Sequence, residues 1–281
     1  MRELSGNLPA AERVVLAVDT SQRAEAVDLA QLAAEAGASV IKEGLELASS
    51  PGSSWEFCSH VAGNTGLDWV ADAKIDDIPN TTAGIIRNLV QLDHPPVAIT
   101  IHTHSGVDSM KAARDIAGER DITMLGVTEL TSITEEELRT DFNFILAELG
   151  LREILAEINM QNILDQLLGS VRFRNLFVHG QARKAAAAQI GGLVASAKEL
   201  VDPIKSDPLL ADKITMIPGT RSPKADTHDQ VNVDTPKQAI VNGAQLLVIG
   251  RQVTQAKDPV QAFRDVVAEI QQGLDERAQV A

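Results

Sequence analysis

Short β-rich runs alternate with amphipathic stretches along nearly the whole chain, and this alternation constrains the fold more than any other feature. Candidate strands fall at 14–18, 39–42, 69–74, 97–102, 123–127, 175–178, 214–217 and 246–249. The intervening segments carry a helical period. In 23–36, for example, Ala26, Leu29, Ala30 and Ala33 share one face. Parallel strands buried on both faces should read as apolar runs, as these do. Eight β–α repeats in 281 residues predict an α/β fold, a closed (β/α)8 TIM barrel. It is expected to form one domain over 1–281, with its core from about residue 13 to about 270. An open doubly wound sheet is the alternative arrangement of the same units.

The connection between the fifth and sixth strands is the longest. Thr134 and Glu137 form a capping box that should start a helix running to about Leu149. An extra helix is expected at 152–168, with Ile154, Leu155, Ile158 and Leu164 as its apolar stripe.

In such a barrel chemistry gathers at the C-terminal ends of the strands. The predicted ends carry Asp19, Lys42, Asp72 with Lys74, His102 with His104, Thr128, His179, Pro218-Gly219 and Gly250-Arg251. Asp72 and Lys74 are two apart, so on a strand they project side by side. A doubly buried strand has no structural need for them, and burying an unpaired charge costs several kcal/mol, roughly. A working constellation is the sharper reading, and a structural ion pair is the plainer one. Asp19 can equally cap the helix that follows it. His102 and His104 have a spacing that can serve zinc, but no third ligand follows at a convincing interval, so no metal is expected.

The last two strand ends suit an anion. Ile217-Pro-Gly-Thr-Arg221 places a glycine at a turn where N–H groups can face a phosphate. Leu247-Val-Ile-Gly-Arg251 ends in a fork-shaped donor, and both lie where this barrel usually binds phosphate. A net charge of −14 argues against nucleic acid and anionic membranes as partners, and with no tyrosine and only 3% aromatic residues stacking platforms for single-stranded nucleic acid are not expected. A single cysteine, Cys58, permits no intramolecular disulfide and fits a reducing cytoplasm. No apolar signal core or run of eighteen apolar residues is found, so a soluble cytoplasmic protein is expected.

These motifs together resemble the orotidine 5′-monophosphate decarboxylase family. Its Asp-x-Lys-x-x-Asp signature is matched by Asp72, Lys74 and Asp77, continued by Ile78-Pro-Asn-Thr-Thr82. Leu16-Ala-Val-Asp19, Ile41-Lys-Glu-Gly-Leu-Glu-Leu47, Ile101-His-Thr-His-Ser-Gly106 and Val127-Thr-Glu-Leu-Thr-Ser132 match further pieces in order. Pro218-Gly-Thr-Arg221, Asp229-Gln-Val231, Val248-Ile-Gly-Arg251 and Asp258-Pro259 resemble its phosphate end. The chain departs at Asp76, where the family usually carries histidine, and in Phe177-Val-His-Gly-Gln-Ala-Arg183, where it usually has Cys-Ser. A histidine followed by arginine there is similar to a sister group acting on sugar phosphates.

The resemblance implies decarboxylation of orotidine 5′-monophosphate to uridine 5′-monophosphate without a cofactor, in pyrimidine biosynthesis. Loss of CO2 leaves carbanion character at C6, so the site must supply a cation and a proton there. Lys74 suits both roles, held in an alternating-charge array by Lys42, Asp72 and Asp77. It further implies that Asp19 and Lys42 bind ribose hydroxyls, that Thr131 meets the pyrimidine, and that Arg221, Gln230, Gly250 and Arg251 hold the phosphate. Asp77 and Thr81 would complete the neighbouring subunit's site in a homodimer. The alternative is a sister decarboxylase or aldolase with a metal-stabilised enediolate, Asp72 as ligand and His179 in proton transfer. A nucleotide binder without chemistry would have no need of the array.

Overall fold

The computed structural model describes residues 8–150, 154, 173–222 and 234–280. Eight parallel strands close on themselves in sequence order: β1 Val14–Val18, β2 Val40–Gly44, β3 Asp68–Ile75, β4 Ala98–His102, β5 Thr123–Val127, β6 Gly192–Val194, β7 Ile214–Pro218 and β8 Leu246–Ile249. Pairing of Val15 with Val40 on one side and Val248 on the other closes the ring at β1.

Successive strand residues point to opposite faces, so each strand feeds two apolar layers. Val15, Ala17, Val40, Val70, Ala98, Leu125, Met216 and Val248 fill the interior. Leu16, Ile41, Trp69, Ala71, Ile99, Ile217 and Ile249 pack outward against helices such as Arg23–Ala36 and Trp55–Thr65. The same phase places Lys42, Asp72 and Thr100 on the interior side near the C-terminal rim. Glu43, one residue from Lys42, faces the outer layer.

One strand was misplaced by the sequence reading. Residues 175–178 belong to the helix Phe173–Ala187, whose buried face is set by Val178, Ala182 and Ala185. A short apolar run does not distinguish strand from buried helix by periodicity. The true β6 is three residues long and contains glycine for a packing reason. A Cβ on Gly192 would lie 2.6 Å from the Leu125 side chain and 2.8 Å from the Ile214 carbonyl oxygen. The glycine that barrel closure requires also weakens the strand signal.

The Thr134 capping box is present: Thr134 accepts from Glu137 N–H at 3.1 Å, and the Glu137 carboxylate accepts from Thr134 N–H at 2.7 Å. It starts the helix Glu135–Glu148. The extra helix expected at 152–168 lies outside the described residues apart from Ile154, which is helical. Among the described residues no helix is long and apolar enough to cross a membrane.

Candidate active site

Four charged side chains alternate across the ends of β1, β2 and β3. The Lys42 ammonium donates to Asp19 Oδ1 and to Asp72 Oδ2, each at 3.0 Å, and Lys74 Nζ donates to Asp72 Oδ2 at 2.7 Å. Lys42 and Asp72 are both buried. Burial alone would lower the Lys42 pKa, yet the Asp72 and Asp19 carboxylates outweigh it and raise it. Burial alone would raise that of Asp72, and Lys42 and Lys74 outweigh it, holding the carboxyl at about 2. Each of the two buried groups thus holds the other in its charged form. Asp19 serves the array rather than capping the next helix, whose N-cap is Gln22; the Gln22 side chain makes no capping bond, and Gln22 N–H donates to Thr20 Oγ1 at 3.0 Å.

Simple strand alternation does not by itself bring Lys74 to Asp72. Lys74 has φ of +43°, in the left-handed region that non-glycine residues avoid, and the β3–β4 register shifts between Ala71 and Ile75. Such a conformation costs on the order of 1–3 kcal/mol and persists only where its surroundings over-determine it. Thr100 on β4 supplies part of that constraint. Its hydroxyl accepts from Lys74 N–H at 2.9 Å and donates to Asp72 Oδ1 at 3.0 Å. Thr100 lies inside β4, away from the strand ends where the sequence places the chemistry. A threonine within the apolar run Ala98-Ile-Thr-Ile was the available signal.

The array forms one end of a cavity of about 520 Å³ that opens at the barrel rim. Thr131 lines it from the loop after β5, and Gly219, Arg221, Gly250 and Arg251 line it from the ends of β7 and β8. Gly219 turns with φ of +80°. Arg221 is buried, and its pKa is lowered by that burial and by the like charge of Arg251. Gln230 lies outside the described residues.

Asp77 and Thr81 do not line this cavity. Both are exposed, at the start of the helix Pro79–Leu89, and Asp77 Oδ1 accepts from Ile78 N–H at 2.7 Å. Asp77 borders a second hollow of about 490 Å³, which Lys74 also lines. Beside them the side chains of Ile78 and Leu45 are exposed.

The histidines divide. His102 and His104 sit 5.9 Å apart between ring centres, and His104 Nε2 lies 3.7 Å from Glu129 Oε2, an acid lining the cavity. His179 and Arg183 are not strand-end residues and do not line the cavity. Both are on the helix Phe173–Ala187 and bond Asp207 Oδ2 at 2.7 Å, tying that helix to the segment before β7. The part foreseen for His179 in proton transfer is thus removed.

A closed eight-stranded barrel with its charge array and cavity at the C-terminal rim defines a (β/α)8 barrel of the enzyme type. The family model described as Orotidine 5'-phosphate decarboxylase / HUMPS family matches residues 12–266, and the chain belongs to that family. Orotidine 5'-phosphate decarboxylase of Streptococcus pyogenes serotype M5 (strain Manfredo) is 34% identical over 259 residues, covering 92% of this chain and 97% of the relative. The protein of that name from Streptococcus equi subsp. zooepidemicus is 33% identical over 258 residues, with the same coverage. The fold is shared with solved orotidine 5'-phosphate decarboxylases. That of Lactobacillus acidophilus has a TM-score of 0.67 at 24% identity, and that of Pyrococcus horikoshii 0.63 at 19%; each comparison covers 92% of this chain and 99% of the other.

Proposed function

We infer that the chain is an orotidine 5′-phosphate decarboxylase, forming uridine 5′-monophosphate and CO2 in pyrimidine biosynthesis. The observation that carries this is the Asp19–Lys42–Asp72–Lys74 array in a member of that family. In this reading the C6–carboxylate bond breaks and its electron pair stays on C6. The Lys74 ammonium stabilises that charge and donates the proton that completes the product, then regains one from solvent. Asp72, itself held by Lys42 and Thr100, orients the ammonium before substrate arrives. No cofactor takes part.

Asp19 and Lys42 meet the ribose hydroxyls, Thr131 meets the base, and Arg221, Gln230, Gly250 and Arg251 take the phosphate. That one cavity of about 520 Å³ is lined both by the array and by Arg221 and Arg251 supports this arrangement. The reading also takes the chain as one barrel domain that works as a cytoplasmic homodimer. Exposed Asp77 and Thr81, beside exposed Ile78 and Leu45, support a site completed by the second subunit.

The direct test is loss of orotidine monophosphate absorbance on adding the protein with excess chelator. Full turnover is expected. Turnover that needs an added divalent metal would favour the enediolate chemistry of the sister group and overturn this reading.

A further inference from the structure

Thr131 lies in a turn that bonds little to itself: Ile133 N–H donates to the Leu130 carbonyl at 3.1 Å. What holds the turn comes from elsewhere in the chain. Arg174, in the first turn of the helix Phe173–Ala187, directs its guanidinium at the two carbonyls that flank Thr131 and Ser132. Nη1 and Nη2 each donate to Leu130 O at 3.3 Å, and Nη1 also donates to Ile133 O. Arg174 Nε donates to Glu199 Oε1, and the other Glu199 oxygen accepts from Ser196 N–H at 2.8 Å, just beyond β6. Both side chains are buried, with relative exposures of 10% and 2%. The helix end is fixed as well, since the Glu135 carboxylate accepts from Phe173 N–H at 2.7 Å and Arg174 N–H at 2.9 Å.

A buried ion pair is weak evidence for stability, because well-packed apolar residues often serve as well. What apolar residues lack is a planar fork that grips two carbonyls while its third nitrogen is anchored. We propose that Arg174, locked by Glu199, is a positioning residue for base recognition: it sets the 130–133 turn where Thr131 meets the pyrimidine. The proposal rests on the functional reading above, which assigns Thr131 to the base. Arg174 touches no substrate atom. It joins the β5 and β6 ends, so its effect should fall on the base and spare the phosphate and ribose contacts.

Calorimetric binding of uridine monophosphate and of ribose 5-phosphate separates these effects. Arg174→Lys is expected to weaken uridine monophosphate about tenfold, while ribose 5-phosphate stays within about twofold. Arg174→Ala should regain part of its uridine monophosphate affinity from added guanidinium and none from ammonium. Glu199→Gln, which keeps the shape of the pair, should show the same selectivity at smaller size and serves if Arg174→Lys fails to fold. Parallel weakening of both ligands, or no weakening of either, would overturn the proposal. Thr131→Val is the control for the premise. If it abolishes the preference for the nucleotide while Arg174→Lys does not, the strut alone is wrong. If it leaves that preference intact, the base assignment falls and the strut with it.

Discussion

The two ends of the cavity are built on opposite electrostatic plans. At β1–β3 the charges alternate, and Lys42 and Asp72 each meet two partners of opposite sign within 3.0 Å. At β7–β8 two cations share one end: burial, and after it the like charge of Arg251, lowers the pKa of Arg221. The first end is organised before any ligand arrives, which is what developing charge in a transition state requires. The second gains when an anion enters, so binding energy released there can position a substrate whose reacting atom is far away. In the function proposed above, the first end carries the chemical step and the second carries capture and alignment.

The sharpest way to break this division is to remove the cation that the proposed function sets against the reacting carbon. Lys74→Ala is expected to lower kcat by a factor on the order of 10⁴ or more while uridine monophosphate still binds. Residual turnover within about tenfold of the parent would place the chemistry elsewhere. The same variant tests the second subunit. Lys74→Ala and Asp77→Ala, each nearly inactive, should on subunit exchange return roughly a quarter of parent activity, because half the dimers are mixed and each has one intact site. Confirmed exchange without recovery would mean that each site is built from one chain.

Arg251→Ala probes the other end, with a smaller effect. Its kcat/KM should fall by a factor on the order of 10²–10³, and added guanidinium should restore part of it. Turnover of the nucleoside, which lacks the phosphate, should not change. If nucleoside and nucleotide were turned over equally well by the parent, the two ends would not divide the work as described.

Much of this plan was legible because it follows from strand periodicity and barrel geometry. β1, β5 and β8 fall where their apolar runs predicted, and Asp19, Lys42, Asp72 and Lys74 do converge. The failures have local physical causes. β6 contains Gly192 because Leu125 and Ile214 leave no room for a side chain, so close packing suppressed the usual strand composition. His179 looked like a strand-end residue only because the helix bearing it was read as a strand. Lys74 needed a left-handed backbone and a register shift, which spacing alone does not announce. Arg174 was invisible because its carbonyl partners lie about forty residues away, joined by tertiary structure and no motif.

A second contrast sits on a single strand. Lys42 and Glu43 are neighbours on β2 facing opposite layers, both buried. Lys42 keeps its charge because two carboxylates meet it. Among the described residues neither buried Glu43 oxygen has a hydrogen-bond partner, and burial pushes its carboxyl from 4.5 up to about 8. The folded state therefore holds this proton up to about pH 8, whereas the unfolded chain releases it above about 4.5. Stability from this group is fully present below 4.5, is lost as pH rises towards 8 at up to about 1.4 kcal/mol per unit, and levels off above that. Glu43→Gln removes the titration. Its Tm relative to the parent should climb across this interval and be furthest ahead near pH 9, with turnover at neutral pH within about twofold. Parallel Tm profiles from about pH 4 to about pH 9 would show that Glu43 does not change its proton binding on folding. The array would then not be the only place on β2 where a buried charge is compensated, and the contrast between its two faces would fail.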